Sequence, residues 1–281
     1  EEDIVGRFSE IPQSRFVSST SNTPNAELNT LDSTSNSMIF TRKKSFKKDP
    51  FSKDSGFDLS WVYNIEENEK KHILYAFFLL FCVIYHFQIN INLIMLIGGN
   101  KWDPFYFFLG PIPIALIFGI SFIIHEKAHL EMGKRLGYPS RFCLTKVGVE
   151  KTKTAALWGL PFGLPGAAVS VGLNPSTDKD NIGKIKVAGP FSNLIFGLVL
   201  IIIAIIIPSD IIAYYITQGA LLNFFLGMFN LMPLKVKGFA LDGQNIIKWN
   251  QALYFTLLTL FLFGLFGSML YSNQLFKNAY S

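Results

Sequence analysis

Long runs of apolar residues, separated by short polar stretches, fill most of the chain. A helix that crosses a bilayer needs about 20 mostly apolar residues. Five runs reach that length, at residues 73–97, 104–124, 187–207, 211–234 and 252–271. The pattern therefore predicts an all-α polytopic membrane protein with about five transmembrane helices.

A further apolar segment, residues 155–173, is interrupted by glycine and proline. The interrupting residues are Gly159, Pro161, Gly163, Pro165, Gly166 and Gly172. So many of them argue against a straight spanning helix, and irregular backbone is tolerated at membrane depth only where protein or water covers it. We therefore expect a re-entrant segment or a β-hairpin here.

Residues 1–57 differ from the rest because they are rich in Ser, Thr, Asn and Asp and have no sustained apolar run. Such a segment cannot bury enough apolar surface to offset the entropy of ordering it. We expect a polar, mostly disordered cytoplasmic leader at 1–57, followed by a membrane-embedded domain at 58–281. Scattered apolar side chains, Phe16 among them, leave room for a short docking motif in the leader.

The composition agrees with a membrane protein. Charged residues make up 16% of the chain, against about 25% in a typical soluble domain. This difference excludes an ordinary soluble enzyme. The net charge of +5 is better explained by membrane topology than by nucleic-acid binding.

The basic residues orient the predicted helices. With a cytoplasmic leader and alternating spans, the cytoplasmic stretches are residues 41–71, 132–154, 174–186 and 234–251. These stretches hold twenty Lys and Arg residues, whereas the opposite side holds Lys101 and Lys277. This positive-inside bias would weaken if residues 155–173 crossed the membrane. We expect an integral, multi-pass membrane protein whose leader and active-site loops are cytoplasmic.

His125, Glu126 and His129 form the pattern His-Glu-x-x-His at the end of the second apolar run. Residues i and i+4 of a helix share one face, so both imidazoles can bind one metal ion. Glu126 lies beside that ion, where its carboxylate can take a proton from a water molecule. Ionisable groups inside a membrane segment are costly and are functional by default. The alternative is a helix end where these side chains merely reach the membrane surface.

A catalytic zinc site needs three protein ligands and one open position. No His follows His129, and the last Glu, Glu150, lies in a Lys-rich stretch that we expect to be non-helical. The Asp residues downstream are Asp178, Asp180, Asp210 and Asp242. Asp242 lies on the same predicted side as His129 and precedes a helical stretch, whose N-terminus favours a carboxylate. Asp242 is therefore the predicted third ligand; the alternative is a plain N-cap Asp followed by Gly.

Together these motifs resemble the site-2 protease family of intramembrane zinc metalloproteases. The resemblance covers roughly residues 73–271. Its blocks are His-Glu-x-x-His at 125–129, Ala-Gly-Pro-Phe-Ser-Asn at 188–193, Phe-Asn-Leu-Met-Pro at 229–233 and Leu-Asp-Gly at 241–243. The second block resembles the family's Gly-Pro-x-x-Asn helix start, and the third resembles the Asn-x-x-Pro block that precedes its Asp-Gly.

The resemblance implies a Zn²⁺ ion held by His125, His129 and Asp242. It implies that Glu126 is the general base and acid, and that Asn230 and Asn193 help to position or polarise the scissile carbonyl. The implied substrate is a membrane-tethered protein, often a regulatory one, that is cut within or near its transmembrane segment. The bilayer is the other expected partner and nucleic acid is not; substrate identity and oligomeric state stay open.

Other classes of function stay open at this point. A different membrane zinc peptidase, such as a prenyl-protein peptidase, would need a Glu ligand downstream, and no Glu follows Glu150. A metal-binding membrane transporter would want ligands on several spans. A catalytically inactive relative of the same fold would not need the Glu126 that this chain retains.

The remaining candidate residues are better explained by packing than by catalysis or metal binding. Cys82 and Cys143 exclude a disulfide framework and a Cys-based zinc module. His72 and His86 border or lie in the first span, where we expect them to meet other helices or interfacial water. Residues 141–149 alternate as a β-strand does and could offer an edge to an extended substrate. A loop on the membrane surface explains them equally well.

Overall fold

The computed structural model describes residues 16–17, 49–52, 59–98, 104–236 and 239–280. In chain order the elements are β1 (Phe16–Val17), α1 (Glu69–Ile97), α2 (Pro104–Leu109), α3 (Pro111–Arg135), β2 (Ser140–Leu144), α4 (Lys146–Trp158), β3 (Gly166–Val171), α5 (Lys179–Ile206), α6 (Asp210–Leu231), β4 (Lys235–Val236), β5 (Phe239–Ala240), α7 (Asp242–Trp249) and α8 (Gln251–Tyr280). Apart from residues 16–17 and 49–52, the predicted leader lies outside the described residues, so its disorder stays a prediction.

Five helical segments are long and apolar enough to cross a membrane, as the sequence pattern predicts. They are α1, α2 together with α3, α5, α6 and α8. Large apolar side chains on their outer surfaces are exposed, for example Ile206 at 72% and Leu270 at 73%. Such a surface is typical of helices that face lipid, and the fold is that of an α-helical, multi-pass membrane protein.

Helix α3 lies at the centre of the bundle and packs against α1, α5 and α6. Towards α1 it buries Phe118 and Phe122 in one apolar cluster with Leu80. Helices α5, α6 and α8 close the other half of the bundle around Phe224 and Phe261. Because α3 touches both halves, polar side chains on it are enclosed by neighbouring helices on more than one side.

A small sheet packs against α3, with the strand order β1-β3-β2. Strands β2 and β3 are antiparallel, with Cys143 opposite Ala167, and β1 pairs in parallel with the other edge of β3. Strand β3 lies in the Gly/Pro-rich segment, where the sequence predicts a re-entrant segment or a β-hairpin, and its partner β2 precedes α4. Burial raises the pKa of the Cys143 thiol to about 12, which makes it a packed, protonated side chain.

Helix α4 changes two interpretations of the stretch that follows β2. Residues 141–149 were left open between a strand edge and a surface loop; the strand ends at Leu144, and α4 begins at Lys146. Glu150 was expected in a non-helical stretch, but it lies within α4. The reason is a helix cap: Thr145 Oγ1 accepts a hydrogen bond from Gly148 N at 3.0 Å and starts the helix.

Strand β2, α4 and β3 run along α1 and return to the end of α1 where they began. Leu144, at the end of β2, donates its N–H to His72 Nδ1 at 3.2 Å, near the start of α1. Ala156, near the end of α4, accepts from His86 Nδ1 at 2.6 Å, about 21 Å further along α1. Strand β3 then comes back beside β2, which is the path expected of a re-entrant segment. Both His72 and His86 contact backbone groups, in agreement with a packing role.

Helix α5 begins earlier than the sequence predicts. The third apolar run was expected to start at residue 187, with the Gly-Pro block at the start of the helix. The helix begins at Lys179, and Pro190 lies inside it. Its first turns are held by Ile182 and Ile185, which pack in a small cluster with Tyr138. These turns mix polar and apolar residues, so a search for apolar runs alone does not detect them.

Candidate metal centre

His125, His129 and Asp242 meet inside the bundle. The two histidines lie on successive turns of α3, and their Nε2 atoms are 3.1 Å apart. Asp242 is the first residue of α7, and its Oδ2 lies 3.2 Å from His125 Nε2 and 3.1 Å from His129 Nε2. All three are buried, with at most 2% of their surface exposed. The structure therefore brings together the three side chains predicted from sequence.

Hydrogen bonds behind the imidazoles decide which nitrogen atoms face the centre. His129 Nδ1 donates to the carbonyl of Ile185 at 2.6 Å, and His125 Nδ1 donates to Asn193 Oδ1. Because carbonyl and amide oxygens only accept, each Nδ1 carries a proton, and Nε2 is the ring atom that can offer a lone pair to a metal ion. Two imidazole nitrogens and a carboxylate oxygen thus converge as the ligands of one cation would.

The geometry fits an ion of the size of zinc. Tetrahedral zinc with bonds of about 2.0–2.1 Å separates its ligand atoms by about 3.3 Å. The observed separations of 3.1–3.2 Å are close to that value. Among the residues that the structure describes, this is the group of His, Cys, Asp and Glu close enough to share one ion. Three ligands also leave the fourth position that catalysis requires.

Helix α5 approaches the two histidines closely because residue 189 is glycine. A Cβ atom at Gly189 would lie 2.6 Å from His125 Nε2 and would also collide with the ring of His129. No side chain larger than hydrogen fits there without moving the helix. The Gly-Pro block noted in the sequence thus gives α5 the room to cover the metal ligands.

Glu126 lies beside the three ligands but is not itself a ligand. It is 3% exposed, and its Oε2 accepts a hydrogen bond from Ala168 N of β3 at 2.6 Å. The ladder between β2 and β3 uses odd-numbered residues of β3, since Val171 N donates to Pro139 O. The amide of Ala168 therefore faces the other edge of β3, and Glu126 lies at that edge.

Asn193 lies behind His125. The sequence resemblance assigned it to the scissile carbonyl, whereas the structure places its Oδ1 on His125 Nδ1. Its own Nδ2 donates to Asn223 Oδ1 at 2.7 Å, and Asn223 Nδ2 donates back to the carbonyl of Asn193 at 2.6 Å. These bonds fix the orientation of the Asn193 amide, and with it the ring of His125. Asn223 was not predicted from sequence.

Asn230 lies at the end of α6, next to the start of α7. Its Nδ2 donates to the carbonyl of Leu226 at 3.0 Å, and within the described part of the chain its buried Oδ1 has no hydrogen-bond partner. A Cβ at Gly243 would come within 2.8 Å of Leu231 Cα, so α6 and α7 touch at this point. The role of Asn230 towards a substrate carbonyl stays a prediction.

Lys186 is the residue that sequence reasoning misassigned. It was counted as a loop charge, but it lies on α5, is 3% exposed, and its Nζ is 3.0 Å from Asp242 Oδ1. Burial alone would raise the pKa of the Asp242 carboxyl, while His129 and Lys186 lower it. The net effect holds that pKa well below its usual range. The sequence feature that could have indicated this role is the position of Lys186, one turn before Gly189 of the Gly-Pro block.

The other carboxylates that were weighed as ligands lie elsewhere. Asp178 Oδ2 accepts from Asn174 N at 2.9 Å, and Asp180 pairs with Lys184 at 2.6 Å. Asp210 opens α6, and Glu150 pairs with Lys153 at 2.9 Å. The elimination that selected Asp242 agrees with these positions.

The chain is similar to two curated proteins of Methanocaldococcus jannaschii. It is 31% identical over 138 residues to "Putative zinc metalloprotease MJ0611", covering 48% of this chain and 69% of that protein. It is 27% identical over 164 residues to "Zinc metalloprotease MJ0392", covering 58% of this chain and 40% of that protein. No family model matches, and no solved structure matches significantly.

Proposed function

The chain belongs to a family of zinc metalloproteases, and we propose that it hydrolyses a peptide bond within or near the transmembrane segment of a membrane-tethered protein. The observation that carries this proposal is the position of the metal centre. His125, His129 and Asp242 lie inside a bundle of helices that are long and apolar enough to cross a membrane. Zn²⁺ is the cofactor that this donor set and the family imply.

The depth of the centre supports hydrolysis inside the membrane. His125 lies ten residues before Arg135, the last residue of α3, which corresponds to about 15 Å along the helix. The exposed end of α3 carries Glu131 and Arg135, which form an ion pair at the surface. His125 lies nearer to this end of α3 than to Pro111, the first residue of the helix. We propose that this end is cytoplasmic, as the positive-inside bias predicts.

Zinc, when bound, supplies a Lewis acid that polarises a water molecule and a carbonyl oxygen held next to each other. Glu126 takes a proton from the attacking water and later delivers a proton to the leaving amide nitrogen. The hydrogen bond from Ala168 N keeps its carboxylate at the edge of β3. Asn193 and Ile185 hold the two imidazoles with their Nε2 atoms facing the centre.

The edge of β3 supports a specific way of presenting the substrate. A helix satisfies its own backbone groups, so a spanning segment must unwind before one of its carbonyls can be attacked. An unwound, extended segment that pairs with the edge of β3 would lie next to Glu126. That edge accepts a strand: β1 pairs in parallel there, with Phe16 opposite Ser170. We propose that the substrate binds to the same edge in extended form.

The test is cleavage of a single-span model protein by the purified full chain in liposomes. The wild type should cut it, a zinc chelator should stop cutting, and added Zn²⁺ should restore it. Glu126→Gln should abolish cleavage while zinc stays bound, because Glu126 is not a ligand. Wild-type rates from Glu126→Gln, or cleavage that is indifferent to the chelator, would refute the proposal.

A metal transporter is the alternative class. Transport would need ligand groups along a path, and within the described residues one such group is present. The buried carboxylate of Glu126 next to that group is the feature that favours hydrolysis. Uptake of zinc into liposomes that hold the protein would distinguish the two classes, and we expect none.

A further inference from the structure

The two carboxylate oxygens of Asp242 have different partners. Oδ2 faces the two imidazoles at 3.1 and 3.2 Å, while Oδ1 is 3.0 Å from Lys186 Nζ. Asp242 is 0% exposed and the side chain of Lys186 is 4% exposed, so water does not separate or screen the pair. One oxygen is thus directed to the metal position and the other is held away from it.

A buried ammonium group is costly, which makes its presence informative. In the part of the chain that the structure describes, Lys186 is the one buried Lys or Arg. Removing an ammonium group from water is strongly unfavourable in a protein interior. A charged residue in a membrane segment is functional by default. Nothing about packing α5 against its neighbours requires this charge, since its other buried side chains are mostly apolar.

Helix α5 supplies a partner to each of the three metal ligands. Ile185 O binds the far nitrogen of His129, Asn193 Oδ1 binds the far nitrogen of His125, and Lys186 Nζ binds the far oxygen of Asp242. Gly189, between them, lets the helix come close enough to do so. With Lys186 included, each of the three ligands has a hydrogen-bond partner on α5. Each partner contacts the ligand atom that does not face the metal position, and it thereby orients the ligand.

We propose that Lys186 is a positioning residue that makes Asp242 bind the metal through one oxygen only and thereby keeps the fourth coordination position open. The proposal rests on the zinc centre of the proposed function. If Oδ1 were released, it could turn to the same ion, and the carboxylate would occupy a second position.

The experiment compares Lys186→Met and Lys186→Arg with Lys184→Met in the full-length protein. Met is similar in length to Lys but cannot bond Oδ1, whereas Arg keeps a positive donor. Lys184 is the matched control, because it lies on the same helix but pairs with Asp180 at the surface and is 46% exposed. The readouts are zinc affinity by competition with a chelator and the visible absorption of the Co²⁺-substituted protein.

Lys186→Met should weaken zinc binding by about 10- to 100-fold, the usual effect of removing a partner of a metal ligand. Its Co²⁺ absorption should become weaker, because d–d bands lose intensity as the coordination number rises above four. Lys186→Arg should recover much of both signals, and Lys184→Met should match the wild type. The wild-type Co²⁺ protein should itself show the intense bands of a four-coordinate ion.

Two results would overturn the proposal. One is a Lys186→Met protein with wild-type zinc affinity and Co²⁺ spectrum that is merely less heat-stable, since the ion pair would then be structural. The other is a weak, five-coordinate spectrum from the wild type, which needs no variant to fold. Cleavage of the model substrate is measured in parallel. Altered metal readouts without any wild-type cleavage would refute the proposed function and leave this inference standing.

Discussion

At the scale of single residues, the three metal ligands are held in place by hydrogen bonds to the atoms that face away from the metal position. The His-Glu-x-x-His pattern was predictable because its geometry is local: residues four apart on one helix share a face. Asp242 was predictable by elimination, because few carboxylates follow His129. Lys186 and Asn223 were missed, since their partners are 56 and 30 residues away and meet only when helices pack.

Replacing any one ligand should remove most of the zinc. His125→Ala, His129→Ala and Asp242→Ala each leave two ligands, which form a poor site. Glu126→Gln should keep a full complement of zinc. Metal analysis of the purified variants gives the answer, and an Asp242→Ala protein with full zinc and full activity would disprove its role as third ligand.

Gly189→Ala should weaken zinc binding, because a side chain at residue 189 would collide with both histidine ligands. Its new Cβ would lie 2.6 Å from His125 Nε2, so α5 or the imidazoles must move. Gly267→Ala on α8 is the matched control, because a Cβ there has nothing within 4 Å. Zinc affinity by chelator competition should fall at least tenfold for Gly189→Ala and stay unchanged for Gly267→Ala. Equal affinities would mean that α5 does not cover the ligands closely.

At the scale of helices and strands, apolar runs predicted the existence of the spanning helices better than their ends. The first turns of α5 have mixed composition, so the run began at residue 187 while the helix begins at Lys179. Helix α4 was missed because its sequence is rich in Lys and its start is set by one side chain, Thr145. Helix capping and burial against other elements set these boundaries, and neither can be inferred from a count of apolar residues.

Ala168→Pro should separate catalysis from metal binding. Proline removes the N–H that donates to Glu126 Oε2, but this amide faces away from β2, so the ladder between β2 and β3 should survive. Cleavage should fall at least tenfold while zinc content stays full. Ala168→Ser, which keeps the N–H, is the control and should cut nearly as fast as the wild type. Full activity of Ala168→Pro would show that β3 does not position Glu126.

At the scale of the whole molecule, the five spanning segments and the charge distribution predict one orientation in the membrane. Lys179, at the start of α5, and Lys277, near the end of α8, are both exposed and lie on opposite predicted sides of the membrane. Single cysteines at these positions, in a chain with Cys82 and Cys143 replaced by Ala, report the orientation. An impermeant thiol reagent applied to sealed cells should label position 277 and leave position 179 unlabelled. The reverse pattern would contradict the predicted orientation, and labelling at both positions would show that α5, α6 and α8 do not all cross the membrane.

The central claim is that the zinc centre acts on a peptide bond inside the membrane, and the position of the cut tests it most directly. A model substrate with one spanning helix is reconstituted with the full chain, and its products are mapped by mass spectrometry. The centre lies about 15 Å from the charged end of α3, so the cut should fall in the cytoplasm-proximal half of the helix. It should fall near Gly or Pro, which lower the cost of unwinding by about 1 and 3 kcal/mol relative to Ala. A helix of Leu alone that is cut equally fast, or cuts confined to residues outside the bilayer, would contradict the account.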